Sequence, residues 1–303
     1  MTNRFVRLMQ MIRFSHTIFA LPFAIMAAIL AVQMPMPDGS YVRITIFHVI
    51  GIALCMVFAR SAAMAFNRLV DHRIDAANPR TKSRHLPVGD LSRREVWGFL
   101  AVCCIGFIAS TTLFFPNRLP LYGSVPVLAF LLLYSVTKRF TWAAHLWLGV
   151  ALSFAPICVW VALRGLWPPE IAADLAPAIV IALAVATWVA GFDIIYACQD
   201  AEFDRSAGLH SVPARLGVKR SLWVAAGLHA MTLVFFAVLP VTGPGLGLGG
   251  IYVVTVLVIA ALLAYQHWLV RPDDLTRVNV AFFNVNATIS VLLLVATALD
   301  CLV

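Results

Sequence analysis

The chain has 303 residues, of which 62% are hydrophobic and only 12% are charged. Soluble domains carry about 25% charged residues, so this composition excludes an ordinary soluble protein and indicates a membrane protein. The net charge of +8 could indicate a nucleic-acid partner, but basic residues that flank apolar segments are typical of membrane topology, and we expect no nucleic acid.

Runs of about 20 apolar residues predict membrane-spanning helices. Nine such runs follow one another, at residues 15–33, 46–66, 96–115, 119–136, 142–163, 173–196, 221–241, 250–270 and 279–299. We therefore expect an all-α fold, a bundle of nine transmembrane helices. No additional soluble domain is visible in the sequence, which predicts a single membrane domain over residues 1–303.

The basic residues are distributed unevenly between the two sides that nine helices define. One side holds the N-terminus and the loops after the second, fourth, sixth and eighth helices, and it collects 18 of the 22 Lys and Arg residues. Cytoplasmic loops are enriched in basic residues. We therefore expect the N-terminus and the long polar loops 67–95 and 197–220 to be cytoplasmic, in a cell inner membrane.

The second predicted helix runs into a segment rich in acidic residues. Asn67, Asp71 and Asp75 follow one another at intervals of four, which places them in one stripe along a helix. Two carboxylates and an amide supply oxygen ligands, which Mg²⁺ prefers together with substrate phosphates. The spacing therefore predicts a metal site.

A second acidic segment ends the sixth predicted helix, with Asp193, Tyr196, Asp200 and Asp204 on one helical face. Asp193 lies inside the apolar run, where a carboxylate is costly and marks a functional site. One such segment could simply solvate a helix end or pair with arginine. Two segments with the same Asp-x-x-x-Asp spacing on one side of the membrane favour metal binding instead.

Several cations and one histidine accompany these acids. Arg84 and Lys138 are predicted phosphate contacts, because both side chains bind phosphate oxygens. Arg60, deep in the second helix, requires an acid or a polar ligand, and either Asp193 or a substrate could supply it. His145 in the fifth helix is interpreted as a buried core residue, with a cavity-lining role as the alternative.

These residues together resemble the UbiA superfamily of intramembrane prenyltransferases. That family is known for an Asn-x-x-x-Asp-x-x-x-Asp motif and for a second motif of the form Asp-x-x-Tyr-x-x-x-Asp-x-x-x-Asp, and both are complete here. The segments Asn78-Pro-Arg-Thr81 and Lys138-Arg-Phe-Thr141 also look like the family. The chain is most similar to the 4-hydroxybenzoate polyprenyltransferase branch.

The resemblance implies Mg²⁺-dependent transfer of a polyprenyl group from its diphosphate to a small aromatic acceptor, 4-hydroxybenzoate, in quinone biosynthesis. It also implies a central cavity that opens to the lipid bilayer. The implied metal ligands are Asp71, Asp75, Asp200 and Asp204, which together with Tyr196 form the catalytic set. The implied diphosphate-binding residues are Asn67, Arg84, Lys138 and Asp193.

Two alternatives remain open at this point. His85-Leu-Pro stands where the family usually has Arg-Pro-Leu/Ile-Pro, and Ser15–Pro22 looks more like relatives associated with menaquinone synthesis, so the acceptor could be a hydroxynaphthoate. A bundle with intramembrane Asp and Arg could also be a transporter. Transporters usually bind their substrates near the membrane midplane, whereas these acids lie at one face.

Overall fold

The computed structural model describes residues 4–12, 20–166 and 170–302. The chain divides into two compact units. The first unit comprises the described N-terminal residues and Ile46–Thr137. The second comprises residues 20–45 and the chain from Lys138 onward.

The described secondary structure is helical apart from one isolated β-bridge. In chain order the helices are α1 (Arg4–Met11), α2 (Leu21–Gln33), α3 (Ile46–Ala77), α4 (Arg93–Ser110), α5 (Leu119–Thr137), α6 (Ala144–Arg164), α7 (Ile171–Ala197), α8 (Ala201–Ser206), α9 (Val212–Leu216), α10 (Val218–Val238), α11 (Gly250–Leu269), α12 (Val278–Val280) and α13 (Asn286–Leu302). A 3₁₀ turn at Cys198–Asp200 joins α7 to α8, and a π-helical turn at Ala281–Val285 joins α12 to α13.

Helix α3 is the main element of the first unit and carries the first acidic motif. Its 32 residues continue without a break from the apolar run to Ala77. It stops before Asn78 because a proline follows, and the residue before a proline is disfavoured in the helical region. The turn beyond is fixed by Asn78 Oδ1, which accepts from the Arg80 N–H at 2.9 Å. The acidic stripe therefore lies on regular helix, as the spacing predicts.

Helix α4 packs against α3 and begins at a capping box. The Ser92 hydroxyl accepts from the Glu95 N–H at 3.2 Å, and the Glu95 carboxylate accepts from the Ser92 N–H at 2.8 Å. These reciprocal bonds satisfy backbone donors that the first turn of a helix leaves without partners. The loop that follows the first acidic motif thus ends at a defined helix start.

Helix α7 is the central element of the second unit and packs against α6 and α10. Glycine allows these approaches, since a Cβ on Gly149 of α6 would lie 2.1 Å from the Ala186 carbonyl oxygen of α7. A Cβ on Gly191 would likewise lie 2.4 Å from the His229 ring of α10. Small residues at such interfaces are typical of helices that pack inside membranes. The helix that leads into the second acidic motif is therefore closely packed against its two neighbours.

The C-terminal end of α2 is capped by a buried arginine. The Ala31 carbonyl would normally accept from the residue four positions on, but Pro35 has no N–H. Arg164 of α6 replaces that donor at 2.9 Å, and it also donates to the Met34 carbonyl at 2.6 Å. Its guanidinium pairs with the buried Asp174 of α7. This network ties together the ends of three helices in the second unit.

The predicted number of nine spanning helices is not confirmed. Among the described residues, eight helical segments have the length and apolar composition to cross a membrane. The remaining predicted span, 15–33, is represented by α2, whose 13 residues reach about 20 Å, short of a ~30 Å hydrocarbon core. Residues 15–19 of that span lie outside the described residues. The all-helical, polytopic membrane architecture is as predicted.

Candidate active site

The first acidic motif is held together by hydrogen bonds along α3. The Asn67 amide donates to Asp71 Oδ2 at 2.9 Å, as expected for side chains one helical turn apart. The Asn67 amide oxygen in turn accepts from Arg68 at 3.0 Å. The predicted stripe is therefore a connected set of side chains with defined orientations.

Asp75 is the most buried acid of this motif, with 5% of its surface exposed. Arg84, from the following loop, donates to Asp75 Oδ1 at 2.6 Å. The buried Arg68 guanidinium lies 3.9 Å from Asp75 Oδ2, too far for a hydrogen bond. Oδ2 is buried and has no hydrogen-bond partner among the described residues. The sequence predicted Arg84 as a phosphate contact, whereas in the structure it binds a carboxylate of the motif.

The second acidic motif does not lie on one continuous α-helix. Asp193 is in α7, Asp200 is in the 3₁₀ turn that follows, and Asp204 is in α8. A 3₁₀ turn has about 3.0 residues per turn instead of 3.6, so positions beyond it are rotated relative to an ideal α-helix. The prediction of one α-helical face is wrong in this detail. Asp200 and Asp204 are nevertheless both buried.

Asp193 is paired with a histidine from a neighbouring helix. His145 of α6, only 1% exposed, places Nδ1 2.6 Å from Asp193 Oδ2. Its other ring nitrogen, Nε2, accepts from the Val212 N–H at 3.3 Å. His145 therefore is a satisfied buried histidine, as the first interpretation had it, but its partner belongs to the acidic motif.

Lys138 lies beside the last acid of the second motif. Its ammonium is 3.8 Å from Asp204 Oδ2, and 31% of the lysine side chain is exposed. Asp204 Oδ2 itself is buried and accepts no hydrogen bond from the described residues. The last aspartates of the two motifs, Asp75 and Asp204, thus share one feature, a buried carboxylate oxygen that lacks a donor.

Tyr196 packs within an aromatic cluster of the second unit. Its ring centroid lies 4.3 Å from that of Phe282, which sits on the π-helical turn before α13. The turn is held by Gln266, which donates to the Ala281 carbonyl at 3.0 Å, and by Asn286, which donates to the Phe282 carbonyl at 2.9 Å. Such π-turns frequently occur at functional sites, and this one sets the position of the ring that faces Tyr196.

The donor set of both motifs suits Mg²⁺. A buried carboxylate oxygen without a donor is unfavourable unless a cation or hydrogen bond compensates it, and both motifs contain one. Among the described residues, no three His, Cys, Asp or Glu side chains are grouped closely enough to hold a metal alone. That fits Mg²⁺ as well, since it is usually held by one or two carboxylates and completed by water and substrate phosphates.

Comparison with known proteins identifies the family. Residues 20–288, which are most of the chain, match the sequence pattern of the UbiA prenyltransferase family. The chain belongs to this family. Both acidic motifs recognised above lie within the matched residues.

Individual relatives agree with this assignment. The chain is 29% identical to the 4-hydroxybenzoate octaprenyltransferase of Vibrio campbellii (strain ATCC BAA-1116), over 92% of this chain and 91% of the relative. It is 34% identical to a UbiA homologue from Aeropyrum pernix K1 whose apo structure superimposes with a TM-score of 0.81, over 94% and 98% of the two chains. A UbiA homologue from Archaeoglobus fulgidus bound to DMAPP and Mg²⁺ shares the fold, with a TM-score of 0.71, 19% identity and coverage of 98% and 99%.

Sequence reasoning missed two contacts with the acids, those of Arg68 with Asp75 and of His145 with Asp193. Arg68 lies seven positions before Asp75, about two helical turns, so the spacing could have indicated their proximity. His145 was noticed, but nothing in the sequence linked it to Asp193, because that contact joins two different helices.

Proposed function

We propose that this family member transfers a polyprenyl group from its diphosphate to the ring of a small aromatic acid, 4-hydroxybenzoate, in quinone biosynthesis. The observation that carries the proposal is the matched pair of buried, donor-free oxygens on Asp75 and Asp204. The name of the Vibrio campbellii relative supports the acceptor. The whole chain, 1–303, acts as one prenyltransferase domain.

The metal is assigned to the acidic motifs. Asp71 and Asp75 would hold Mg²⁺ in the first motif, and Asp200 and Asp204 in the second, while the diphosphate completes the coordination. When bound, Mg²⁺ neutralises the charge that develops on the departing diphosphate. The Mg²⁺ and DMAPP named for the Archaeoglobus fulgidus homologue support this assignment.

The remaining polar residues of the motifs orient these carboxylates and the diphosphate. Asn67 fixes Asp71 through its 2.9 Å hydrogen bond. Lys138, partly exposed beside Asp204, is assigned to the diphosphate. Arg84 donates to Asp75, which supports a role in orienting that carboxylate, and its predicted phosphate contact stays a prediction. Asp193, fixed by His145, is proposed to act with the diphosphate-binding set.

Arg60 supports an acceptor that carries a carboxylate. Its Nε is buried and has no hydrogen-bond partner among the described residues. A guanidinium in an apolar span requires an anion or polar ligand. The sequence left Asp193 and a substrate as alternatives, and Asp193 is already paired with His145. We therefore assign Arg60 to the acceptor carboxylate.

The residues themselves bind the prenyl diphosphate and shield the reacting allylic group from water. The acids and Lys138 hold the polar end of the prenyl diphosphate, and apolar helices accept its tail. Tyr196 and the Phe282 ring provide π-faces that favour a nearby allylic cation. An enclosed apolar surface keeps water from reacting with that cation before the phenolic ring does.

The acidic motifs are proposed to lie on the cytoplasmic side of a cell inner membrane. The 18 basic residues assigned to that side of the chain support this orientation. A prenyl diphosphate is anionic, and a basic cytoplasmic face attracts anionic lipid-like molecules.

The deciding experiment offers purified full-length protein geranyl diphosphate with 4-hydroxybenzoate, 1,4-dihydroxy-2-naphthoate or homogentisate, with Mg²⁺ or with EDTA. We expect Mg²⁺-dependent prenylation of 4-hydroxybenzoate. Preference for the dihydroxynaphthoate would favour the menaquinone alternative, which the sequence of Ser15–Pro22 suggests. Absence of transfer to every acceptor, together with uptake of a solute into proteoliposomes, would favour a transporter and overturn the proposal.

A further inference from the structure

His145 contacts both ends of the segment that carries the second acidic motif. At one end its Nδ1 lies 2.6 Å from Asp193 Oδ2, and at the other its Nε2 lies 3.3 Å from the Val212 backbone nitrogen. Asp200 and Asp204 lie between those two contacts along the chain. One buried imidazole thus closes a loop that contains two proposed Mg²⁺ ligands.

The hydrogen bonds define which nitrogen of His145 carries the proton. A backbone N–H can only donate, so Nε2 must accept from Val212 and cannot be protonated. The neutral ring then carries its proton on Nδ1 and donates it to Asp193. A protonated imidazolium would lose the Val212 contact, because both of its nitrogens are donors. The ring therefore accepts a hydrogen bond from the α9 backbone and donates one to the Asp193 carboxylate.

Other hydrogen bonds fix the backbone near Val212. The Ser211 hydroxyl caps α9 by accepting from the Ala214 N–H at 3.2 Å. The His210 N–H donates to the Lys138 carbonyl at 2.7 Å, so the segment is also tied to the residue beside Asp204. These contacts fix the backbone of one end, whereas His145 connects that end to the acid at the other.

We propose that His145 is a positioning residue, a clasp that holds Asp193 and the start of α9 together and thereby sets the spacing of Asp200 and Asp204. This inference rests on the proposed function, because it assigns the clasp to Mg²⁺ and diphosphate binding. His145 itself contacts no metal and no substrate. Removal of His145 would weaken Mg²⁺ binding indirectly, because Asp200 and Asp204 would no longer be held in position.

The experiment compares His145→Phe, which removes both hydrogen bonds, with Ser153→Ala as a matched control. Ser153 is buried on the same helix and donates to the Val150 carbonyl of that helix, at 2.8 Å. The first readout is the Mg²⁺ concentration that half-saturates the thermal stabilisation by geranyl thiolodiphosphate, an unreactive prenyl diphosphate. The second is the rate of tryptic cleavage after Arg205 and Arg215.

We expect His145→Phe to raise the half-saturating Mg²⁺ concentration roughly 10- to 100-fold, the range seen when outer residues that position a metal site are lost. Tryptic cleavage after Arg205 in α8 and after Arg215 in α9 should also accelerate, and Ser153→Ala should change neither measurement. A purely structural role would lower the melting temperature of the free protein and leave the Mg²⁺ midpoint at its wild-type value. That result would overturn the proposal.

A milder variant covers the case in which His145→Phe does not fold. In His145→Asn the amide N–H can still donate to Asp193 in place of Nδ1, but the contact with Val212 is lost. The clasp is then open at one end, and a raised Mg²⁺ midpoint is expected again, whereas an unchanged midpoint refutes the clasp. If wild-type protein shows neither Mg²⁺-dependent stabilisation nor transfer, the proposed function fails. If wild-type protein shows both and the variants match it, the clasp alone fails.

Discussion

Replacement of Lys138 by alanine tests whether this residue serves the protein or the substrate. Its ammonium is 3.8 Å from Asp204 Oδ2, and about a third of its side chain is exposed. A partly exposed ion pair at that distance contributes about 0.2–1 kcal/mol. If that contact were the whole role of Lys138, its loss would change any kinetic constant by less than about fivefold.

A contact with the diphosphate predicts a larger effect. A charge-assisted hydrogen bond contributes about 1.5–3 kcal/mol, which corresponds to about a 10- to 150-fold loss of kcat/KM for the prenyl diphosphate. The half-saturating Mg²⁺ concentration, by contrast, should stay the same or fall. Because Lys138→Ala removes a cation from beside Asp204, a divalent ion at that carboxylate should bind as well as before or more tightly.

The assay measures kcat/KM separately for the prenyl diphosphate and for the aromatic acceptor across a Mg²⁺ titration. Arg139→Ala is the control, since it removes an exposed positive charge from the next position. We expect a loss of more than tenfold for the diphosphate in Lys138→Ala alone. A loss below about fivefold, or a loss confined to the acceptor, would show that Lys138 does not bind the diphosphate.

Three further predictions follow from the same structure. Asp71→Ala or Asp200→Ala should abolish transfer at every Mg²⁺ concentration while thermal unfolding stays cooperative, and near-normal turnover at low Mg²⁺ would contradict the metal assignment. Single cysteines placed in the loops 67–95 and 197–220 of a cysteine-free protein should be labelled only from the cytoplasmic side, and labelling from outside would reverse the orientation. Arg164→Met should destabilise the protein by about 3–5 kcal/mol, because it leaves Asp174 buried without its partner, and unfolding in denaturant that matches wild type would refute this.

The sequence predicted most helices because a segment that crosses a membrane must be a long apolar run whose backbone groups are hydrogen-bonded to one another. At α2 the helix ends at Gln33, as the predicted span 15–33 does, but the sequence did not predict the contact that caps this end. That end exists because Pro35 cannot donate and Arg164 supplies the missing donor at 2.9 Å. The sequence contains both residues, but they belong to different helices, and hydropathy does not report a contact between them.

The predicted arrangement of side chains agrees with the structure where it depended on spacing within one helix. Asn67 and Asp71 are hydrogen-bonded across one turn of α3, as their separation of four residues requires. The prediction that the second motif lies on one α-helical face failed, because the helix changes its pitch within the motif. The 3₁₀ turn at Cys198–Asp200 contains neither glycine nor proline, so no local signal marks the change in pitch.

The cations near the two motifs differ in a way that assigns Arg84 a different role from Lys138. Arg84 is bonded to Asp75 Oδ1 at 2.6 Å, and the other carboxylate oxygen of Asp75 stays available for metal. Lys138 lies 3.8 Å from the donor-free oxygen of Asp204 itself. Under the proposed function, a metal ion at that oxygen would repel the ammonium, and the flexible lysine side chain would allow the ammonium to reach a phosphate.

This difference predicts opposite kinetic patterns for the two variants. Arg84→Ala should raise the half-saturating Mg²⁺ concentration, since Asp75 loses the residue that orients it, and should leave the KM for the prenyl diphosphate within about threefold of wild type at saturating Mg²⁺, the change expected of a group that binds no phosphate. Lys138→Ala should instead raise that KM without weakening Mg²⁺ binding. A large KM increase in both variants would mean that Arg84 also contacts phosphate, as its position after the first motif originally suggested, and that its hydrogen bond to Asp75 is exchanged for one to the substrate.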